Sequence, residues 1–216
     1  MATSDRERML MNWPERAFIY SPVRVLIQLR HVARWIRIAG RQTHSRGLEI
    51  GCGLGRGAQI ATTRLGVRKI FAFDLEHALV QKGASAASKA SDNRIAFLTA
   101  DGQDIPFAGA CFDAVIDFGI IHHVLDWRRC LSEIERVLKP GGYFYFEEIF
   151  PPLYANFLMK RLVRHPEEGR FGREEFLAAL AERGLRTLSG DKRSSRFGIV
   201  DVARKDPEPN DLFSRP

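Results

Sequence analysis

The chain of 216 residues is poor in cysteine and contains no long apolar run. Its three cysteines, Cys52, Cys111 and Cys130, show neither a Cys-x-x-Cys pair nor the spacing of metal ligands. A zinc ribbon and a disulfide framework are therefore excluded. No segment reaches the roughly 20 apolar residues of a membrane span, and the N-terminus has no apolar leader core. These absences predict a soluble protein of a reducing cytoplasm, with no bound metal.

Positive charge is in excess and is unevenly distributed along the chain. The net charge is +7, and residues 1–46 hold nine arginines against three acidic residues. Residues 160–196 hold ten basic against six acidic residues, whereas residues 47–159 are nearly neutral. Basic flanks on a neutral core indicate an anionic acceptor, a membrane surface or a merely solvated face. The sequence leaves these three interpretations open.

A glycine-rich turn stands between a short strand and a helix. Gly51, Gly53 and Gly55 follow the apolar residues that end at Ile50. Asp74 closes the next apolar run, at roughly the 20-residue offset of a nucleoside-binding βαβ unit. Glycines let a ligand approach the backbone closely, and a carboxylate at the second strand's end can accept two ribose hydroxyls. The pattern therefore predicts an adenosine-type cofactor.

Two kinds of cofactor fit this turn to different degrees. Read from Gly53 to Ala58, the turn satisfies the dinucleotide pattern with a final alanine. The strand would then run through Gly51-Cys52, which are poor strand formers. Read from Gly51, the third glycine position is occupied by Arg56, whose side chain would crowd the helix–strand contact that a pyrophosphate needs. A ligand without a pyrophosphate is favoured over a nicotinamide dinucleotide.

Apolar runs and helical periodicities alternate along the chain. The predicted strands are 46–50, 69–74, 95–99, 112–117, 142–148, 185–189 and 196–203, and the predicted helices are 22–39, 56–65, 76–90, 126–138 and 173–183. The last two strands are close enough in sequence to form a hairpin. This alternation predicts a Rossmann-like α/β fold, with a doubly wound, mostly parallel seven-stranded sheet and one antiparallel strand.

The first predicted helix, from Pro22 to about Ala39, is amphipathic. Ser21 is placed to cap it, with proline at its first position, and Asp126 is placed to cap the predicted helix at 126–138. The apolar stripe consists of Val25, Leu29, Val32 and Ile36. The basic stripe consists of Arg30, Arg34, Arg37 and Arg41. The apolar stripe is expected to pack on the domain. The basic stripe leaves a peripheral membrane contact open.

A series of motifs occurs in order and at natural spacing. They are Glu49-x-Gly51-x-Gly53-x-Gly55, Asp74, DGQDIPF at 101–107, FDAVI at 112–116, His122-His123 and LKPGG at 138–142. Together they resemble the class I S-adenosylmethionine-dependent methyltransferases, and most closely the ubiquinone/menaquinone-biosynthesis or type 11 branch. The resemblance covers roughly residues 46–150. It implies S-adenosylmethionine as cofactor and the strand order 3-2-1-4-5-7-6, with strand 7 antiparallel.

The resemblance also implies which residues bind the cofactor. The turn from Gly51 to Gly55, including Cys52 and Gly53, would hold the methionine carboxylate at a helix N-terminus. Glu49 would reach the ammonium group, and Asp74 would bind the ribose hydroxyls. The other implied contacts are Leu75 beside the adenine, Asp101 at its amino group, Gly102 or Gln103 at its ring, and Asp117 and Phe118 on the methionine side.

Methyl transfer from a sulfonium depends mainly on an acceptor held close and in line. A general base is needed only where the acceptor must lose a proton. The candidates follow strands four and five, where open α/β sheets place their ligands, and are His122, His123, Glu147 and Glu148. We single out His122 and Glu148. Because neighbouring strand residues alternate between faces, only one of the two glutamates is expected to face the pocket.

The motifs favour a small-molecule methyltransferase over other classes. Amino methylation of nucleic acid is disfavoured because Asp117-Phe118-Gly119-Ile120 stands where an Asn/Asp-Pro-Pro-aromatic motif is usual. A short-chain oxidoreductase is disfavoured because no tyrosine has lysine four residues on. An RNA or protein methyltransferase that uses the basic flanks and a non-catalytic cofactor-binding module remain alternatives. The expected acceptor is apolar or anionic, such as a quinone, a lipid or an aromatic metabolite.

The whole chain, residues 1–216, is predicted to be a single methyltransferase domain. Residues 1–45 would form a helical cover, 46–150 the cofactor-binding core and 151–175 a second cover segment. The final helix and hairpin would occupy 176–205, followed by a disordered tail at 206–216. Both cover segments are amphipathic and basic, so we expect them to close over the acceptor site.

Overall fold

The computed structural model describes residues 13–154, 169–190 and 195–207, and within them seven strands form one sheet. The strands are β1 (His44–Ile50), β2 (Val67–Asp74), β3 (Ile95–Thr99), β4 (Phe112–Phe118), β5 (Leu138–Ile149), β6 (Leu185–Thr187) and β7 (Gly198–Lys205). Their order is β3-β2-β1-β4-β5-β7-β6. The first five are parallel, and β7 lies antiparallel to both β5 and β6. The predicted fold class and strand order are confirmed.

Seven helices flank the sheet within the described residues. They are α1 (Trp13–Ile19), α2 (Pro22–Ala39), α3 (Arg56–Ile60), α4 (His77–Lys89), α5 (Trp127–Val137), α6 (Pro151–Tyr154) and α7 (Arg173–Glu182). The helix predicted at 56–65 is α-helical only in its first half and continues as a π-helical turn from Ala61 to Leu65. The two predicted caps are confirmed: Ser21 Oγ accepts from the Arg24 N–H, and Asp126 accepts from the Arg129 N–H.

The register of the sheet brings the predicted binding residues to one edge. Ile50, at the end of β1, pairs with Phe73 of β2 on one side and with Asp117 of β4 on the other. Gly51 and Asp74, which follow these pairs in the chain, therefore leave the sheet side by side. They do so at the carboxyl edge of the parallel strands, where open α/β sheets bind ligands.

The start of β5 differs from its predicted position. The strand begins at Leu138 rather than at 142, and α5 ends one residue earlier, at Val137. Leu138 pairs with Phe112, and the register shifts between that pair and the next, Ala114 with Tyr143. Pro140 lies within this irregular stretch, where its missing N–H costs no regular ladder hydrogen bond. The proline thus marks a bulge in the strand rather than a turn before it.

Other predicted segments lie partly outside the described residues. The predicted hairpin is formed by β6 and β7, but β6 ends at Thr187 and residues 191–194 of its connection are not described. Of the 151–175 segment, the structure describes 151–154 and 169–175. Residues 1–12 of the first cover segment and 208–216 of the tail also lie outside.

Buried apolar side chains form two clusters on opposite faces of the sheet. Phe144 and Phe146 of β5 belong to one cluster, with α5 and α7, and Tyr145 belongs to the other, with α2 and α3. Helix α2 contributes Val32 and Trp35, which are 1% and 0% exposed. Its predicted apolar stripe therefore packs on the domain, as expected. No helix in the described segments is long and apolar enough to cross a membrane.

Candidate cofactor and acceptor site

The turn after β1 depends on its glycines. Gly51, Gly53 and Gly55 have φ values of +63°, +52° and +78°, a region that side chains rarely adopt. A Cβ on Gly51 would lie 2.6 Å from Ile120 Cγ2, and one on Gly55 would lie 2.4 Å from Phe97 Cζ. The turn is therefore closed to larger residues, and its backbone N–H groups can be approached closely by a ligand.

Asp74 is joined directly to that turn. Its carboxylate accepts from the Gly53 N–H at 2.8 Å and from the Glu76 N–H at 2.9 Å. Burial raises the pKa of the Asp74 carboxyl, and these two hydrogen bonds oppose the rise. The structure thus brings Asp74, and Leu75 after it, next to the glycine turn. Each carboxylate oxygen can accept a further hydrogen bond, as a ribose diol requires.

Glu49 is buried beneath the same turn. It is 2% exposed, and its Oε2 has no hydrogen-bond partner among the described residues. A Cβ on Gly57 would lie 2.0 Å from Glu49 Oε1, so only glycine leaves room for the carboxyl. Burial raises the pKa of Glu49 well above its usual range, and Asp74 and Asp117 raise it further. A buried carboxyl oxygen without a partner can hold a cation such as an ammonium group.

The predicted adenine-binding residues form a compact loop after β3. Asp101 accepts from the Gln103 N–H at 2.9 Å and from Gln103 Nε2 at 3.1 Å. Gln103 Oε1 accepts from the Asp126 N–H at 3.1 Å, which ties the loop to the start of α5. A Cβ on Gly102 would lie 3.1 Å from Cys130 Sγ. Asp101 stabilises its own turn in this structure, and its contact with adenine stays a prediction.

A cavity of about 940 Å³ opens at the carboxyl edge of the sheet. Its floor includes Glu49, Gly51, Cys52, Gly53 and Phe118, which are five of the predicted binding residues. Most of its lining area is apolar, with contributions from Phe18, Ile19, Ile27, Leu153, Phe197 and Ile199, and it is also lined by Arg24, Arg34, Arg56 and Arg173. The predicted adenosine contacts Asp74, Leu75, Asp101, Gly102 and Gln103 lie outside it. The cavity therefore joins the methionine end of the predicted site to an apolar space.

His122 and Glu148, the two singled-out catalytic candidates, are hydrogen-bonded to each other. His122 Nδ1 lies 2.6 Å from Glu148 Oε2, and Glu148 Oε1 accepts from the Ile121 N–H at 2.7 Å. Burial lowers the pKa of His122 to about 3, so its ring is neutral at pH 7. The contact with the carboxylate places the ring proton on Nδ1, and Nε2 is then the basic nitrogen.

Asp117 and Glu148 form a pair of buried carboxyl groups. Burial, and then the charge of Glu148, raise the pKa of Asp117 well above its usual range. Burial raises the pKa of Glu148 to about 7, and the hydrogen bonds that it accepts oppose the rise. Two carboxyls this close hold one proton between them, and Asp117 is the protonated member. Above about pH 7 Glu148 is then the anion that faces His122.

Glu147 points to the other face of β5, where helix α2 covers it. Its carboxylate forms an ion pair with Arg24 and contacts His31 Nδ1. Arg24 Nη2 also donates to the Phe118 carbonyl at 2.6 Å. Burial lowers the pKa of Arg24 to about 10 and that of His31 to about 4. Both Glu147 and Glu148 border the cavity, so the expectation that only one would do so is wrong.

Tyr20, between α1 and α2, lies over the glycine turn. A Cβ on Gly53 would be 3.4 Å from its ring, and its hydroxyl is buried without a partner among the described residues. Burial, and then Asp74, raise the pKa of Tyr20 to about 12. Arg16 of α1 forms two hydrogen bonds, of 2.9 and 2.6 Å, with Glu76 just after β2. The N-terminal helices therefore contact the predicted cofactor site directly.

Arg24 and His31 were missed as site residues because the basic stripe was assigned to other positions. Arg24 is in phase with Gln28, Val32 and Trp35, the residues that α2 buries. A lone arginine on the buried face of an amphipathic helix indicates a buried partner, and this signal was available in the sequence. The identity of that partner, more than 100 residues away, was not.

Comparison with known proteins concerns the segment that contains the glycine turn. Residues 48–146 match the family described as methyltransferase domain. A phthiotriol/phenolphthiotriol dimycocerosates methyltransferase of Mycobacterium tuberculosis is 33% identical over 132 residues, 60% of this chain and 46% of that protein. The O-methyltransferase rstn1 of Aspergillus nomiae is 35% identical over 107 residues, 49% of this chain and 47% of that protein. The chain thus matches less than half the length of either relative.

Solved structures share the fold. A SAM dependent methyltransferase from Aquifex aeolicus has a TM-score of 0.66 at 17% identity, over 89% of this chain and 98% of that chain. The cyclase SpnF has a TM-score of 0.66 at 19% identity, over 83% of this chain and 81% of that chain. The strand order, with the glycine turn at the carboxyl edge of the sheet, is that of a Rossmann-like fold. The segment 48–146, somewhat less than half of the chain, is similar to the methyltransferase domain, and a relative of Mycolicibacterium smegmatis that is 32% identical over 115 residues is named a probable S-adenosylmethionine-dependent methyltransferase.

Proposed function

We propose that the protein transfers the methyl group of S-adenosylmethionine to a small, largely apolar acceptor. The observation that carries the proposal is the cavity that runs from the glycine turn to an apolar outer part. The cofactor supplies an activated methyl group on a sulfonium. The residues proposed to hold it are Glu49, Gly51, Cys52, Gly53, Gly55, Asp74, Leu75, Asp101, Gly102, Gln103, Asp117 and Phe118.

Glu49 and Asp74 have complementary parts in this proposal. The Oε2 of Glu49, buried without a partner among the described residues, would accept from the ammonium group of the methionine moiety. Asp74 would accept from the ribose hydroxyls while it keeps its bonds to the turn. The N–H groups at the start of α3 would face the carboxylate, as helix N-termini favour anions.

His122 is proposed as the general base for an acceptor that carries a hydroxyl. As the acceptor oxygen forms a bond to the methyl carbon, the carbon–sulfur bond breaks and its electron pair stays on sulfur. The hydroxyl proton passes to His122 Nε2. Glu148, held 2.6 Å from Nδ1, would stabilise the imidazolium that results, and Asp117 would keep Glu148 in place. A base whose pKa matches the working pH contributes about 10²–10⁴-fold to the rate, and the pKa of about 3 for His122 makes that range an upper bound here.

Two observations support an apolar acceptor. The outer wall of the cavity is built from aromatic and aliphatic side chains, including Phe18, Ile27 and Phe197. One relative is named for methylation of a dimycocerosate, which is a lipid, and another is named an O-methyltransferase. A quinone, a lipid or an aromatic metabolite fits such a pocket. Because molecules of this kind partition into membranes, a peripheral lipid contact of α2 is part of the proposal.

The test has a binding arm and a transfer arm. Calorimetric titration should show binding of S-adenosylmethionine or its demethylated product, and NAD binding of comparable strength would contradict the proposal. Protein incubated with methyl-labelled cofactor and organic-solvent extracts of cells should transfer the label to a lipid-soluble product. His122→Gln should form that product more slowly, by no more than about 10²–10⁴-fold, while cofactor binding remains. Label recovered only in RNA or protein would instead establish a macromolecular acceptor.

A further inference from the structure

The solvent-facing side of α2 changes from apolar to basic along its length. Val23 and Leu26, in its first two turns, are 58% and 51% exposed. Arg30 and Arg37, further along, are exposed as well. These four residues are spaced by three, four and seven positions, so they share one face of the helix. Large apolar side chains followed by arginines on one exposed face are typical of helices that lie in a membrane interface.

The opposite face of α2 packs on the domain. The exposed face is therefore not a part of the hydrophobic core that has been left uncovered. Trp35 Nε1 donates to the Phe146 carbonyl at 3.1 Å, and Arg24 pairs with Glu147. Val32 is buried beside them. The helix is therefore held rigidly, with its apolar and basic residues directed to solvent.

The exposed face adjoins the mouth of the cavity. Phe18, Leu153 and Phe197 line the cavity and are also 49%, 41% and 43% exposed. Phe18 precedes α2 by only four residues, and Ile27, next to Leu26, lines the cavity too. Exposed apolar residues that converge on one opening mark an interaction surface.

We propose that this surface, defined by Phe18, Val23, Leu26, Arg30 and Arg37, docks on an anionic lipid bilayer and turns the cavity mouth towards it. The apolar residues enter the boundary between headgroups and acyl chains, and the arginines contact the lipid phosphates. The proposal rests on the proposed function in one respect, since an acceptor from the bilayer could then enter the cavity without crossing water. Charge complementarity selects the anionic surface, because residues 1–46 hold nine arginines against only three acidic residues and basic segments are attracted to anionic lipid.

Vesicle co-sedimentation of the full chain tests the surface without any turnover. The chain should bind vesicles that contain phosphatidylglycerol, bind phosphatidylcholine vesicles weakly, and be released as the salt concentration rises. Arg30→Gln/Arg37→Gln should lower partition onto anionic vesicles about 30-fold, at about fivefold per arginine near the surface. Leu26→Gln should lower it about tenfold on the same vesicles.

A matched variant separates the surface from overall charge. Arg128→Gln/Arg129→Gln removes two exposed arginines from α5, which packs on the other face of the sheet from α2. It should bind vesicles like the wild type, and thermal melting should confirm that every variant is folded. Equal losses in both arginine pairs, or no loss with Leu26→Gln, would overturn the proposal. Binding to single-stranded RNA that depends on the arginines but not on Leu26 would also overturn it.

The outcomes distinguish docking from the proposed function. Vesicle binding by the wild type without label transfer to any lipid-soluble product would leave the surface standing and refute the proposed acceptor. A second outcome would support both the docking surface and the proposed function. In it, wild type and Leu26→Gln methylate a short-chain, water-soluble acceptor equally, but only the wild type binds vesicles. Transfer to a lipid acceptor without any vesicle binding would refute the surface alone.

Discussion

Replacement of Arg24 by methionine tests whether a buried ion pair holds helix α2 on the sheet. The side chains of Arg24 and Glu147 are each 9% exposed, and the guanidinium also donates to the Phe118 carbonyl. Removal of one partner from such a pair leaves an uncompensated buried charge, at a cost of about 3–5 kcal/mol. We expect Arg24→Met to lower the free energy of unfolding by that amount at pH 8, measured by urea denaturation.

The double variant separates the charge from the packing. In Arg24→Met/Glu147→Gln no charge is left unpaired, and most of the lost stability should return, because neutral replacement of a buried pair is often tolerated. Arg186→Met is the matched control, since Arg186 pairs with Asp206 at 75% and 40% exposure and should leave the urea midpoint unchanged. If Arg24→Met unfolds like the wild type, or if the double variant is no more stable than Arg24→Met, the reasoning is wrong.

His31 gives the same experiment a pH dependence. In the wild type its folded-state pKa is lowered to about 4 by burial first and then by the charges of Arg24 and Arg34. The unfolded chain then binds the extra proton, so this group's stability contribution is lost as pH falls from about 6.5 towards 4. Without Arg24 the ring should accept a proton more readily and pair with Glu147. The deficit of Arg24→Met should therefore shrink on acidification below about pH 6.

Three further predictions concern the cofactor site, the catalytic pair and the cover. Asp74→Ala should weaken cofactor binding in calorimetry by about 1.5–3 kcal/mol, since charge-assisted hydrogen bonds are lost. His122→Gln and Glu148→Gln should each lower turnover by no more than about 10²–10⁴-fold, with cofactor affinity kept, and wild-type turnover should rise towards pH 7 as Glu148 ionises. Hydrogen exchange in residues 13–20, which precede the packed helix α2, and in residues 151–175 should slow when cofactor binds, as expected of a mobile cover.

Each of these has a result that would contradict it. Unchanged cofactor affinity in Asp74→Ala would remove this residue from the ribose site, and Asp92→Ala, at an exposed turn, is its control. A loss beyond 10⁴-fold in His122→Gln, with affinity intact, would make the base indispensable rather than one contribution among several. If the amides of the cover segments exchange as slowly as those of the strands when no cofactor is present, the prediction of a mobile cover is wrong.

The parallel sheet was predictable because its strands are continuous apolar runs bounded by glycine, proline or acidic residues. β3 was predicted residue for residue, and the helix caps Ser21 and Asp126 were found from local chemistry alone. The beginning of β5 was not predicted correctly, because Pro140 with the adjacent glycines has the sequence of a turn. Only the pairing of Leu138 with Phe112 shows that the chain is already in the sheet there.

The site was predictable wherever it lies next to a motif in sequence. Glu49, the glycine turn and Asp74 fall together because parallel strands end at one edge. The partnership of His122 with Glu148 could be suspected from their positions after β4 and β5, yet only the fold shows them hydrogen-bonded. Strand alternation correctly separates Glu147 from Glu148. The alternation does not reveal that both glutamates border one cavity. The cavity lies beyond the ends of the strands, so residues from either face of the sheet can border it.

The ion pair of Arg24 with Glu147 also bears on how the domain can be divided. The family match spans residues 48–146, so it excludes Arg24 and stops one residue before Glu147. It also leaves out β7, which pairs with β5 from Tyr143 to Ile149. A fragment cut at the family boundaries would expose one edge of the central sheet and lose the helix that covers one face. A shortened protein made for expression should therefore begin before α2 and end after β7.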